Sequence, residues 1–124
     1  MKPVLILLLA LSLSGCAPRA TIHPGAANQI DSNFYDTLFV TNNVIESTKL
    51  DLSANKFPPS ITPNIVTALN KLVSLYNLAD QEYKLYHASA LAGTATPAQQ
   101  QALQFKINDV STAVTVLASA KGGS

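Results

Sequence analysis

Two groups of polar and aromatic side chains, far apart in the sequence, could form a chemical site if the fold brings them together. Their members are Asp31, Tyr35, Asp36, Tyr83, Tyr86 and His87. A histidine beside a carboxylate can act as a general acid or base, or can bind a polar ligand, because imidazole titrates near neutral pH. The structural alternative is a hydrogen-bonded cap, since a histidine near the carboxyl end of a helix interacts favourably with the helix dipole.

Motifs for metal binding, cofactor binding and nucleophilic catalysis do not occur in the sequence. The chain has two histidines and one cysteine, and neither His23 nor His87 has metal-ligand spacing around it. Glu82 and His87 are five positions apart, which puts them on different faces of a helix and excludes the Glu-x-x-His pair of di-iron bundles. Glycine-rich phosphate loops and Gly-x-Ser-x-Gly nucleophile elbows are also absent. The sequence therefore predicts no metal, no bound cofactor and no enzymatic activity.

The only cysteine, Cys16, lies directly after an apolar segment near the amino terminus. Lys2 is followed by an apolar run over residues 4–13 and then by small residues, which is the layout of a secretory signal. The run is too short to span a membrane, because a spanning helix needs about 20 apolar residues. We therefore predict a signal peptide over residues 1–15. An unpaired cysteine in an exported protein is itself unexpected.

The residues Leu13-Ser14-Gly15-Cys16 resemble the lipobox of bacterial lipoproteins, which is cut immediately before the cysteine. The resemblance implies that Cys16 carries a covalent diacylglycerol on its thiol and an N-acyl chain, such as palmitate, on its freed amine. Two or more chains of this kind give stable membrane attachment. Ala17, in place of Asp, resembles the sorting pattern of outer-membrane lipoproteins, which implies the periplasmic face of that membrane if the source is Gram-negative. The alternative is an ordinary signal peptide with a free thiol near its cleavage site.

The charges of the mature chain balance. Removing residues 1–15 from the 124-residue chain leaves 109 residues, and the loss of Lys2 leaves seven basic and seven acidic side chains. Without a basic cluster the chain has no electrostatic footprint for nucleic acid or for anionic lipid headgroups. We therefore predict no nucleic-acid partner, and attachment to a membrane only through the lipid anchor on Cys16.

The apolar pattern predicts an all-α fold, an up-down-up antiparallel three-helix bundle over residues 28–121. A short flexible tether over residues 16–27, rich in Pro, Gly and Ala, precedes the bundle. Apolar side chains recur alternately three and four positions apart, which is typical of helices that share a core. On this pattern we expect helices at about 28–54, 63–92 and 97–120.

Capping residues predict where these helices begin and end. Thr62 is predicted as the N-cap of the second helix, with Pro63 in its first turn and Gly93 just past its end. Thr96 and Gln99 are predicted to form a capping box at the start of the third helix.

An antiparallel register gathers the polar and aromatic side chains at one end of the bundle. Matching the stripes of the first two helices places Leu38 opposite Ala79 and Thr41 beside Tyr76, which would give this phenol a hydrogen-bonding neighbour. The same register brings together the start of the first helix, the end of the second and the start of the third. We call this end the tether pole, because the tether enters there, and expect it to be the end nearest the membrane. His87 should lie beside one of the two aspartates.

A row of leucines on the second helix forms a candidate interaction surface. Leu75, Leu78 and Leu85 lie outside the core stripe and align along one edge, the leucine edge, while Phe39 and Phe105 fall at positions that should face water. Scattered exposed apolar residues are common in soluble proteins, and Leu75 could instead widen the core face. A contiguous leucine edge would favour binding of a partner or self-association.

Three classes of function remain open from the sequence. The first is a lipid-anchored structural or protein-interaction module of the bacterial cell envelope, with a protein partner of unknown identity. The second is a small-ligand binder that uses the polar site around His87. The third is a membrane-active or phage-type lipoprotein that affects envelope integrity or exclusion. Residues 23–38 and 83–87 also resemble segments of small, uncharacterised helical lipoproteins of bacteria, which brings no activity with it.

Overall fold

The computed structural model describes residues 22–122, and within that range the chain is a bundle of three helices without strands. Every helix packs against the other two, so the predicted all-α three-helix bundle is confirmed. No helix of the described range is long and apolar enough to cross a membrane. The helices, each within one residue of its predicted bounds, are α1 at Gln29–Ser53, α2 at Thr62–Leu91 and α3 at Pro97–Lys121.

The heptad stripes form the core. Leu38 and Ala79, predicted to face one another, both belong to the buried cluster. The apolar side chains with no exposed surface lie on α2 and α3, and they include Ile65, Leu72, Leu103, Val110 and Leu117. Large residues on one helix pack against small ones on another, which is how a helical core reaches high density.

Threonines occupy two core positions of α1 without leaving an unsatisfied hydroxyl. Thr41 and Thr48 donate hydrogen bonds of 2.8 Å to the backbone carbonyls of Thr37 and Val44, one turn earlier in the same helix. This local bond lets a polar side chain be buried at low cost. The Thr41 hydroxyl, expected as a hydrogen-bonding neighbour of the Tyr76 phenol, donates to the Thr37 carbonyl of its own helix instead.

The start of α3 and the end of α2 follow the predicted chemistry. The Gln99 amide donates to the Thr96 hydroxyl over 3.1 Å and the Thr96 amide donates to the Gln99 side chain over 3.0 Å, which completes the capping box. Gly93 has a φ of +74°, and the Thr94 amide donates to the Ser89 carbonyl over 2.8 Å. Glycine adopts this left-handed conformation without steric cost, so it ends α2 cleanly.

The start of α2 differs from the prediction. Thr62 is not the N-cap but the first helical residue, and Ile61 precedes it without a side-chain cap. The amides of Ile61 and Thr62 both donate to the Pro58 carbonyl, as does the Thr62 hydroxyl. The chain therefore already turns as a helix before Thr62, which leaves this residue inside the first turn.

Candidate functional site

The tether pole is organised around a buried carboxylate in the first turn of α1. Asn28 caps this helix, since its side chain accepts a hydrogen bond of 2.9 Å from the Asp31 amide. The Asp31 side chain has no exposed surface, and its Oδ2 accepts hydrogen bonds from the Ala27 amide at 2.7 Å and from His87 Nδ1 at 2.6 Å. Its Oδ1 has no hydrogen-bond partner among the described residues. A buried carboxylate is stable only when it is paired and hydrogen-bonded.

His87 is the paired residue, as the antiparallel register predicts. The pair joins the start of α1 to the last turn of α2 across 56 positions of sequence. The Asp31 carboxylate can only accept this hydrogen bond, so His87 Nδ1 must carry the proton that is donated. In the neutral form of His87, Nε2 then has no proton and keeps a free lone pair. The His87 side chain is 30% exposed, against 0% for Asp31. The pair therefore presents one imidazole nitrogen at the surface and holds the carboxylate inside.

The second aspartate pairs with a residue that the sequence analysis placed in the tether. Asp36 Oδ1 contacts His23 Nε2, and both side chains are roughly half exposed. The His23 amide donates to the Ser32 hydroxyl over 3.1 Å. This arrangement was missed because His23 has no apolar periodicity around it. The dipeptide Pro24-Gly25 favours a reversal of the chain, and it could have indicated the turn that brings His23 to α1.

Residues 22–27, the part of the predicted tether that the structure describes, fold against the bundle and are not extended. The Ala26 amide donates to the His23 carbonyl over 3.0 Å, and Gly25 at the turn has a φ of +90°. The contacts of His23 and Ala27 with α1 hold this turn in place. Residues 1–21, with the predicted signal peptide, the rest of the tether and Cys16, lie outside the described residues.

Aromatic rings connect the two histidines. Centroid distances are 4.7 Å from His23 to Tyr35, 6.4 Å from Tyr35 to Tyr83 and 5.6 Å from Tyr83 to His87. Tyr86 belongs to the core instead, where its ring packs edge-on against Phe34 at 5.6 Å. All six predicted side chains therefore lie at the tether pole, but Tyr86 is buried in the core there.

Burial keeps two of these phenols protonated. It raises the pKa of the Tyr83 phenol, and the neighbouring Asp31 carboxylate raises it further. The pKa of the Tyr86 phenol is also raised, first by burial and then by the charge of Asp31. Both hydroxyls therefore remain potential hydrogen-bond donors at pH values where an exposed tyrosine would begin to ionise.

A cavity of about 440 Å³ lies between the turn at residues 24–26 and the rings of α1 and α2. Its wall includes His23, Tyr35, Tyr83 and His87. The volume is within the range of small-molecule sites, and the free nitrogen of His87 is the group suited to exchange a proton or a hydrogen bond with a ligand. Among residues 22–122, no group of three or more His, Cys, Asp or Glu side chains is placed to hold a metal ion.

The predicted leucine edge divides into a buried and an exposed part. Leu75 is half-buried and packs against the core cluster, so it widens the core face. Leu78 and Leu85 are 50% and 64% exposed. Phe39 and Phe105 are also more than half exposed, and Phe39 stacks on Tyr35 with a centroid distance of 6.1 Å.

The two histidine pairs should contribute unequally to stability. His87→Ala is expected to lower the free energy of unfolding by about 2 kcal/mol, because the buried Asp31 carboxylate loses the hydrogen bond from His87 Nδ1. His23→Ala is the matched control, and it should cost less than about 1 kcal/mol because its pair with Asp36 is open to solvent. Urea unfolding of both variants measures the difference. A larger loss for His23→Ala would contradict this ranking.

In comparisons with known proteins, no family model, curated protein or solved structure matches this chain.

Proposed function

We propose that this protein is a lipid-anchored component of the bacterial cell envelope that acts as a structural or protein-interaction module. The anchor is the acylated Cys16, and the bundle is the part that meets a partner. The anchoring rests on the lipobox-like residues 13–16 after a short apolar segment. In this proposal the export signal is removed, and the lipid chains hold the mature chain to the membrane.

The observation that carries the interaction role is the exposed half of the leucine edge. Leu78 and Leu85 are seven residues apart on α2, which places them on the same face two turns from each other. They point away from a core that is already filled by the stripe residues. Large exposed apolar side chains that align along a helix are typical of a surface that binds another helix or groove.

The cavity beside His87 favours a second candidate function, the binding of a small polar ligand. It has the size that such a site requires, and it combines aromatic walls with one available imidazole nitrogen. A ligand there would contact His87 and Tyr83 and would leave the leucine edge untouched. The two candidates therefore depend on different residues and can be separated by substitution.

The anchoring is tested by the intact mass of the chain recovered from bacterial membranes. We expect a chain that begins at Cys16 and carries a diacylglycerol and one further acyl group. Cys16→Ser should abolish both the lipid mass and the membrane association, because a hydroxyl does not replace the thiol as the acceptor. An unmodified wild-type chain would contradict the anchor and leave Cys16 as a free thiol.

The interaction role is tested by cross-linking in intact cells. We expect an adduct of defined mass that is lost in Leu78→Asp, because a charge on the leucine edge opposes apolar contact. Leu50→Asp is the matched control, since Leu50 is an exposed leucine of α1. His87→Gln should keep the adduct. An adduct that depends on His87 and not on Leu78 would contradict the leucine edge and favour the ligand site.

A further inference from the structure

The surface of the tether pole is poor in charged side chains. Two described stretches that form it, residues 22–30 and 85–105, contain no Asp, Glu, Lys or Arg. The two aspartates at this end are paired with histidines, one of them out of contact with solvent. The opposite pole carries ion pairs of Lys49 with Glu46 and of Lys56 with Asp51. A further ion pair, Lys84 with Asp80, lies on the side of α2, so it is the end face at the tether, and not the sides of the bundle, that is poor in charge.

Large aliphatic side chains are exposed at this uncharged end. Ile22 is 48% exposed, Ile30 in the first turn of α1 is 41% exposed, and Leu91 in the last turn of α2 is 59% exposed. The Asp31 to His87 contact shows that these two turns are neighbours. Three exposed aliphatic side chains thus lie at a pole where Asp31 is buried and Asp36 is paired with His23, and the transfer of such side chains to an apolar phase is favourable.

The length of chain between the anchor and the bundle limits how far this pole can lie from a membrane. Ile22 lies six positions after Cys16, and a fully extended chain of that length spans at most about 20 Å. The turn at residues 24–26 is held against α1 by hydrogen bonds from the His23 and Ala27 amides. It therefore does not lengthen the connection between Cys16 and the bundle. If Cys16 is lipidated, the end of the molecule that faces the bilayer is the tether pole.

We propose that the tether pole rests directly on the lipid bilayer, with Ile22, Ile30 and Leu91 in the boundary between headgroups and acyl chains. The inference rests on the proposed lipid anchor. The cost of placing charged side chains in a membrane is limited because Asp31 is buried and Asp36 is paired with His23. The contact is apolar, so it requires no anionic lipid and is insensitive to salt. The opposite pole, with the ion pairs of Lys49 with Glu46 and of Lys56 with Asp51, then points away from the membrane.

The chain contains no tryptophan, so a single Ile30→Trp substitution reports on this contact without background. Leu50→Trp is the matched control, because Leu50 is 69% exposed and lies 20 residues along the same helix, about 30 Å away. Full-length protein carrying either substitution is purified with its lipid and reconstituted into phosphatidylcholine vesicles that contain nitroxide-labelled lipid. We expect several-fold stronger quenching of the tryptophan at position 30, with a blue-shifted emission that salt does not change.

Each other outcome overturns a distinct claim. Equal and weak quenching at both positions, in protein that floats with the vesicles, would overturn the contact and leave the anchor intact. A blue-shifted emission at position 30 without lipid quenching would assign the pole to contact with a second copy of the chain and also overturn it. Unlipidated protein that does not float would overturn the proposed anchor itself. Circular dichroism checks that both variants keep the helical fold.

Discussion

The tether pole depends on the burial of one carboxylate. Asp31 has no exposed surface and lies in the first turn of α1, where the helix dipole favours a negative charge. That position does not by itself offset desolvation, so the carboxylate needs hydrogen bonds from groups that cannot move away. His87 and the Ala27 amide supply them. One side chain thereby connects α1, α2 and the segment that precedes the bundle.

The two ends of the bundle differ in the side chains that they carry. The rings of Tyr35 and Tyr83 fill the space between the two histidine pairs and form the wall of a cavity. Exposed aliphatic side chains lie at the same end. The ion pairs of Lys49 with Glu46 and of Lys56 with Asp51 lie toward the other end, and that of Lys84 with Asp80 lies between. The exposed leucines of α2 lie on the side of the bundle. In the proposed function, the anchored end contains the cavity, and the partner surface is a separate region that can be changed by its own substitutions.

Much of this arrangement could be predicted from the sequence, because it follows from local rules. The alternating spacing of apolar side chains, three and then four positions apart, predicted the three helices. The capping box of Thr96 and Gln99 predicted where α3 begins. The antiparallel register was enough to bring His87 near the two aspartates of α1, and the structure shows that Asp31 is the one it contacts. The position of His23 could not be predicted in this way, since it depends on a turn that has no periodicity and is stabilised only by tertiary contacts. Thr62 failed as a cap for a related reason, because Pro58 starts the helical turn earlier than the apolar pattern does.

The buried pair of Asp31 and His87 is tested most directly by NMR, since the nitrogen and carbon chemical shifts of the His87 ring report its tautomer and environment. Neutral His87 is expected to carry its proton on Nδ1 and to give a downfield proton signal from the hydrogen bond to the Asp31 carboxylate. Asp31→Asn should remove this signal. His23, which is half exposed, should show faster exchange of its ring proton with water. A neutral His87 protonated on Nε2, or a ring unaffected by Asp31→Asn, would contradict the buried pair on which the pole depends.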